Sequence, residues 1–180
     1  MKSKVLTPRF IFLTTAIISA AVCRLLSPID NFTPVAAMAL FGGAYFTDKR
    51  IAVILPLIAM FLSDVVLELF TPWGFHNTMV YVYVAFVLTS LIGIRVGRNT
   101  SVLTIAGGSL ASSVLFFIIT NFGVWAAGGF ANGFVGLNTT YVLGLPFFAP
   151  TLLGDLFYSA ILFGAFYLAQ VRYPALIRVK

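Results

Sequence analysis

Six apolar runs divide this chain, and short basic clusters fall at every second break between them. That pattern constrains the fold more tightly than any motif. A helix that crosses a bilayer needs about 20 mainly apolar residues at ~1.5 Å rise each. The runs at about 10–26, 33–46, 51–70, 79–96, 102–127 and 150–171 approach or meet that length. The second is short and rich in Ala and Gly, which suits a tilted or partly buried element better than a lone lipid-facing span. Turn residues separate the runs, as in Ser27-Pro28-Ile29-Asp30-Asn31 and Thr71-Pro72-Trp73-Gly74, because Pro, Gly and Asx side chains favour turns. A Gly-rich stretch at 128–138 and a short apolar piece at 141–148 precede the last helix, which is predicted to start near Pro150, a residue favoured in a first turn. The predicted fold class is an all-α membrane protein, a six-transmembrane-helix bundle built as one integral membrane domain over residues 1–180.

Composition excludes the soluble alternative. Hydrophobic residues make up 61% of the chain and charged ones 9%, with a mean hydropathy of +1.05, against about 25% charge in an average soluble domain. That is too little charge to coat a water-facing surface. The net charge of +6 is not a nucleic-acid signal, because the basic residues form no stripe. With the N-terminus inside, Lys2, Lys4, Arg9, Lys49, Arg50, Arg95, Arg98, Arg172, Arg178 and Lys180 face the cytoplasm. That is ten of the eleven basic residues, and only Arg24 lies toward the outside. The positive-inside rule therefore predicts both termini to be cytoplasmic. The run at 10–26 is longer than a signal-peptide core and lacks a small-x-small cleavage site, so it reads as a retained first helix.

Ionisable groups in hydrocarbon are costly, so each is a candidate functional residue. Counting helical rise from the cytoplasmic ends puts Asp64 at ~20 Å, Arg24 at ~21 Å, Asp155 at ~24 Å, Glu68 at ~26 Å and Asn121 at ~28 Å. Four helices thus bring polar groups to one level in the outer half of the membrane. Asp64 and Glu68 share a helix face, Trp125 stands one turn beyond Asn121, and Asn31 and His76 lie in the outer loops. Together these residues predict an outward-facing polar cavity for a small, planar, substrate-like molecule. The structural alternative has Asp155 stabilising the positive end of the sixth helix, Arg24 snorkelling to the headgroups and an Arg24 ion pair locking helices together. The single cysteine, Cys23, and the single histidine, His76, leave no metal cluster, triad or cofactor site to predict. No phosphate-binding loop is present, and no nucleophile–base pair suggests an enzyme. Small residues on the first helix (Ala16, Ser19, Ala20) and the fifth (Ala106, Gly107, Ser109, Ala111, Ser112, Ser113) predict close helix packing there.

Several stretches carry a resemblance. Asn31-Phe32-Thr33-Pro34-Val35-Ala36-Ala37-Met38-Ala39-Leu40-Phe41-Gly42-Gly43-Ala44, Thr120-Asn121-Phe122-Gly123-Val124-Trp125, Leu145-Pro146-Phe147-Phe148 and Gly154-Asp155-Leu156 resemble a family of bacterial membrane proteins of unassigned function. That family is in turn distantly similar to the S components, the substrate-binding subunits, of energy-coupling factor (ECF) vitamin transporters. The second likeness rests on six helices, cytoplasmic termini, chain size and the Ala16-x-x-x-Ala20 pattern. It implies a substrate-binding protein for vitamin uptake in the bacterial cytoplasmic (inner) membrane. It also implies an ECF coupling subunit with its ATPases as partners, docking on Ala16 and Ala20. The competing expectation is a self-sufficient proton- or ion-coupled transporter, with Asp64 or Asp155 carrying the coupling.

Overall fold

The computed structural model describes residues 7–72, 74–130 and 133–177. These residues form six α-helices and one short 3-10 turn: α1 (Pro8–Leu26), α2 (Val35–Tyr45), α3 (Lys49–Phe70), α4 (Met79–Val96), α5 (Val102–Ala126), α6 (Gly133–Arg172) and the turn at Pro174–Leu176. Local chemistry fixes several starts. Thr7, Asp48 and Ser101 cap α1, α3 and α5, each accepting a backbone N–H from the first turn, one of the four donors a helix start leaves open.

Successive helices run up and down, so the two described ends of the chain meet. Arg9 donates from Nη1 to the Leu176 carbonyl and from Nη2 to the Tyr45 carbonyl, both at 2.9 Å. Its guanidinium also sits 5.1 Å from the Phe166 ring centroid, within cation–π range. The starts of α1, α3 and α5 and the ends of α2, α4 and α6 therefore share one end of the bundle. Arg9, Lys49, Arg50, Arg95, Arg98 and Arg172 belong to that end. Arg24 belongs to the other half.

Five helices, all but α2, are long and apolar enough to cross a membrane. The chain still passes six times between the two ends of the bundle, but the second element is short and partly buried, as its sequence suggests. With 11 residues, α2 is ~16 Å long, about half of a ~30 Å hydrocarbon core. It has almost no lipid face: nine of its 11 residues are buried, and it touches each of the other five helices. The tightest of these contacts is with α4. A Cβ added to Gly93 would run into the Leu40 carbonyl and come within 3.0 Å of Gly43 Cα, and one on Gly97 would come within 2.9 Å of Ala44 Cα. Gly93-x-x-x-Gly97 thus forms the small-residue face that lets two backbones touch.

The small residues singled out on the first and fifth helices behave unevenly. Ser109, Ser112 and Ser113 are buried, whereas a Cβ on Gly107 would meet nothing within 4 Å.

One expectation is corrected at the last helix. Residues 133–172 form one 40-residue helix with Pro146 and Pro150 inside it, rather than a loop, a short piece and a helix starting near Pro150. At ~60 Å it is about twice the hydrocarbon thickness, so part of it is tilted or stands beyond the core. In water two prolines end a helix readily. In lipid an unpaired peptide group costs several kcal/mol, so the chain stays helical through them.

Gly93→Ala should therefore destabilise the protein by about 1–3 kcal/mol, the usual cost of overpacking. Gly107→Ala should leave stability unchanged or slightly raised. Thermal unfolding of the two variants in detergent measures the difference, and equal melting would contradict the α2–α4 crossing.

Candidate functional site

A helix that begins halfway along a bundle brings its unpaired N–H groups with it. The head of α2 is buried, and its N-cap residue Pro34 has no side-chain acceptor to offer. The missing acceptor comes from α6. The Asp155 carboxylate, 3% exposed, faces the backbone N–H groups of Ala36 and Ala37 and accepts, on Oδ2, the Ser113 hydroxyl at 2.7 Å. Asp155 does stabilise the positive end of a helix, but that helix is α2 and not its own. The loop ahead of α2 is held against the same place. Asn31 takes a left-handed φ of +61°, which Asn tolerates better than most residues. Ser27 Oγ donates to the Phe32 carbonyl at 2.8 Å. A Cβ on Gly154 would come within 3.0 Å of Thr33 N and 3.1 Å of Phe32 Cα, so glycine here lets the loop lie on α6.

A second charged network joins α1, α3 and α4. Arg24 Nη1 donates to Asp64 Oδ1 and to Ser63 Oγ, both at 2.6 Å, and Tyr83 donates its hydroxyl to Asp64 Oδ2 at 2.7 Å. Asp64 is 0% exposed and Arg24 15%. At this depth Asp64 is held by two helices besides its own.

Between the two networks lies a cavity of about 240 Å³, lined by Arg24, Asn31, Thr33, Val35, Ala36, Met60, His76, Val82, Phe116, Thr151 and Asp155. Val35, Ala36, Met60 and Asp155 are buried, while Asn31 and His76 are exposed. The cavity therefore runs from the head of α2 toward the end of the bundle opposite the basic clusters. A smaller chamber of about 90 Å³ adjoins it and shares Asn31, Phe116 and Thr151.

The predicted site residues separate on this geometry. Arg24, Asn31, His76 and Asp155 line the main cavity, and Asp64 stands behind Arg24. Asn121 lines the smaller chamber and donates from Nδ2 to the Phe117 carbonyl at 2.8 Å. Glu68 and Trp125 line neither. Glu68 is exposed and accepts the Phe75 N–H at 2.9 Å, and Trp125 Nε1 donates to the Gly133 carbonyl at 3.1 Å.

Ala16 and Ala20 also point elsewhere than expected. Ala20 is 5% exposed and Ala16 packs against the core, so this face of α1 is turned into its own bundle. Ile11, Ile18 and Val22 form the exposed side. Sequence reasoning missed Tyr83, Ser63 and Ser113, because neutral hydroxyls are ordinary in membrane helices and only their partners single them out.

All four stretches that carried the resemblance converge here, the third through Phe147 and Phe148. Asn31, Thr33, Val35 and Ala36 come from the first, Asn121 from the second and Asp155 from the last. A family model described as "Family of unknown function (DUF6580)" matches residues 4–176. The chain belongs to this family. No curated protein and no solved structure matches it.

For this DUF6580 protein the cap gives a direct test. Asp155→Ala leaves the head of α2 without its acceptor and should cost about 2–3 kcal/mol. Asp155→Asn keeps a capping oxygen and should lose markedly less. Unfolding of both variants in detergent checks this, and an Ala variant as stable as wild type would remove the cap from the account.

Proposed function

We propose that this DUF6580 protein is a membrane-embedded binding and uptake protein for a small nutrient of vitamin-like type. The observation that carries the reading is the cavity at the head of α2, which holds a guanidinium and a carboxylate in a wall shared by polar and apolar side chains. In a ligand site a few fixed polar groups set the orientation of the bound molecule, and ionisable residues within a membrane mark substrate pathways. At about 240 Å³ the space is below the usual ~300–1,000 Å³ of drug-sized sites, which suits a compact metabolite. The positive-inside rule assigns the basic end to the cytoplasm of a bacterial inner membrane, so the cavity opens outward.

An S-component-like architecture fits an up-down order of six helices with both ends of the chain together. A coupling subunit with its ATPases would then supply the energy. It would have to meet a surface other than the Ala16–Ala20 face, for instance the Ile11, Ile18 and Val22 side of α1. A second reading, proton- or ion-coupled transport by the chain alone, draws on Asp155, a buried carboxylate in the cavity wall.

Three measurements test these readings. Reporter fusions after Asp48, after Gly97 and at the C-terminus should report cytoplasm, and fusions near Asn77 and Gly133 the outside. An external C-terminus would sink the orientation. The purified protein should release a small molecule on denaturation, detectable by mass spectrometry. Reconstituted alone in liposomes, it should bind that molecule without concentrating it under a proton or sodium gradient. Accumulation driven by a gradient alone would favour the second reading.

A further inference from the structure

The binding reading above leaves the ligand's chemistry open, and the inference drawn next rests on that reading. Arg24 makes both of its hydrogen bonds through one nitrogen, Nη1. Its Nε and Nη2 groups donate to nothing among the described residues, although Arg24 forms part of the cavity wall. Those two N–H groups lie side by side on one edge of the planar guanidinium, the edge whose spacing matches the two oxygens of a carboxylate.

The other charges around the cavity are already engaged. Asp64 is held by Arg24 and Tyr83, and Asp155 by Ser113 and the head of α2. The open guanidinium edge is therefore the charged group with bonding capacity left for a ligand. Its orientation is fixed in advance, because Ser63 and Asp64 hold Nη1 at 2.6 Å. A bound carboxylate would place the cation between two anions, and its two charge-assisted hydrogen bonds would offset part of its desolvation. Met60, Val82 and Phe116 would face the rest of the molecule.

We infer that the cavity takes a small organic acid whose carboxylate docks on the Nε–Nη2 edge of Arg24, with Asp64, Ser63 and Tyr83 as positioning residues. The test compares wild type with two variants. Removing Arg24 alone strands a buried Asp64, so the first variant is Arg24→Gln combined with Asp64→Asn, which deletes both charges together. The second is Arg24→Lys, which keeps a cation beside Asp64 but lacks the fork. Each protein is purified in mild detergent, checked for monodispersity and melting, and denatured. Released molecules are quantified by untargeted mass spectrometry in both ionisation modes.

The expected result is a carboxylate-bearing metabolite in wild type, reduced about tenfold or more in both variants. If the double variant is misfolded, Arg24→Lys decides alone. A neutral or purely cationic molecule, a phosphate without a carboxylate or a lipid headgroup overturns the inference and leaves the binding reading standing. So does an acid retained at wild-type occupancy by a folded variant. Wild-type protein that releases no small molecule overturns both.

Discussion

Everything in this bundle depends on how the head of α2 is satisfied. A half-length helix buried among five longer ones carries unpaired N–H groups and the positive end of a helix dipole into a region with little water to receive them. Left alone, each such group costs several kcal/mol in hydrocarbon. Asp155 answers both needs at once, since its oxygens face the N–H groups and its charge opposes the dipole. The Ser113 hydroxyl then holds that carboxylate from α5. One interaction thus ties α2, α5 and α6 together at mid-depth. The rest of α2 has only to pack, which its Ala and Gly residues do against α4.

The Arg24–Asp64–Tyr83 network is of a different kind. A buried ion pair is weak evidence for stability, because desolvation offsets much of the attraction. A hydrophobic pair of similar volume would hold α1 to α3 about as well. What the ion pair supplies is a fixed direction: a guanidinium clamped at one nitrogen cannot swing to the headgroups, as an exposed arginine would. The two networks therefore divide the work, one holding the fold together and the other presenting a charged edge to the cavity.

Counting helical rise brought Arg24, Asp64 and Asp155 to one level, and that much was legible because charge is rare in such a sequence and depth follows from length. Direction around the helix was not legible to the same degree. Asp64 and Glu68 are one turn apart, yet Asp64 faces the bundle and Glu68 leaves it to meet the loop at Phe75. Ala16 and Ala20 looked like an outer docking face and are turned inward, because small residues mark close packing without saying which neighbour is close. The same ambiguity hid Gly93 and Gly97, which make the tightest crossing. The last helix was misread for another reason. Gly133, Pro146 and Pro150 are breakers by their behaviour in water, whereas in apolar surroundings the penalty for unpaired peptide groups outweighs local preference.

The shortness of α2 also accounts for where the cavity lies. Toward the basic end the bundle has six helices in cross-section, and Phe41, Tyr45, Phe163 and Phe166 fill its centre with rings 4.5–5.9 Å apart. Toward the other end α2 is missing, and five helices enclose the space it would have occupied. A helix about 10 Å across, absent over roughly 13 Å of depth, would vacate on the order of 1,000 Å³. The loop at 27–34 refills much of that volume, held on α6 by Gly154, and side chains such as Phe116 and Met60 take more. About 240 Å³ is left, directly above the capped head of α2. A full-length second helix would have closed this space and satisfied its own backbone. Beginning it at Val35 creates the opening and also the need for a buried carboxylate at its base, so the polarity of the cavity and its existence have one cause.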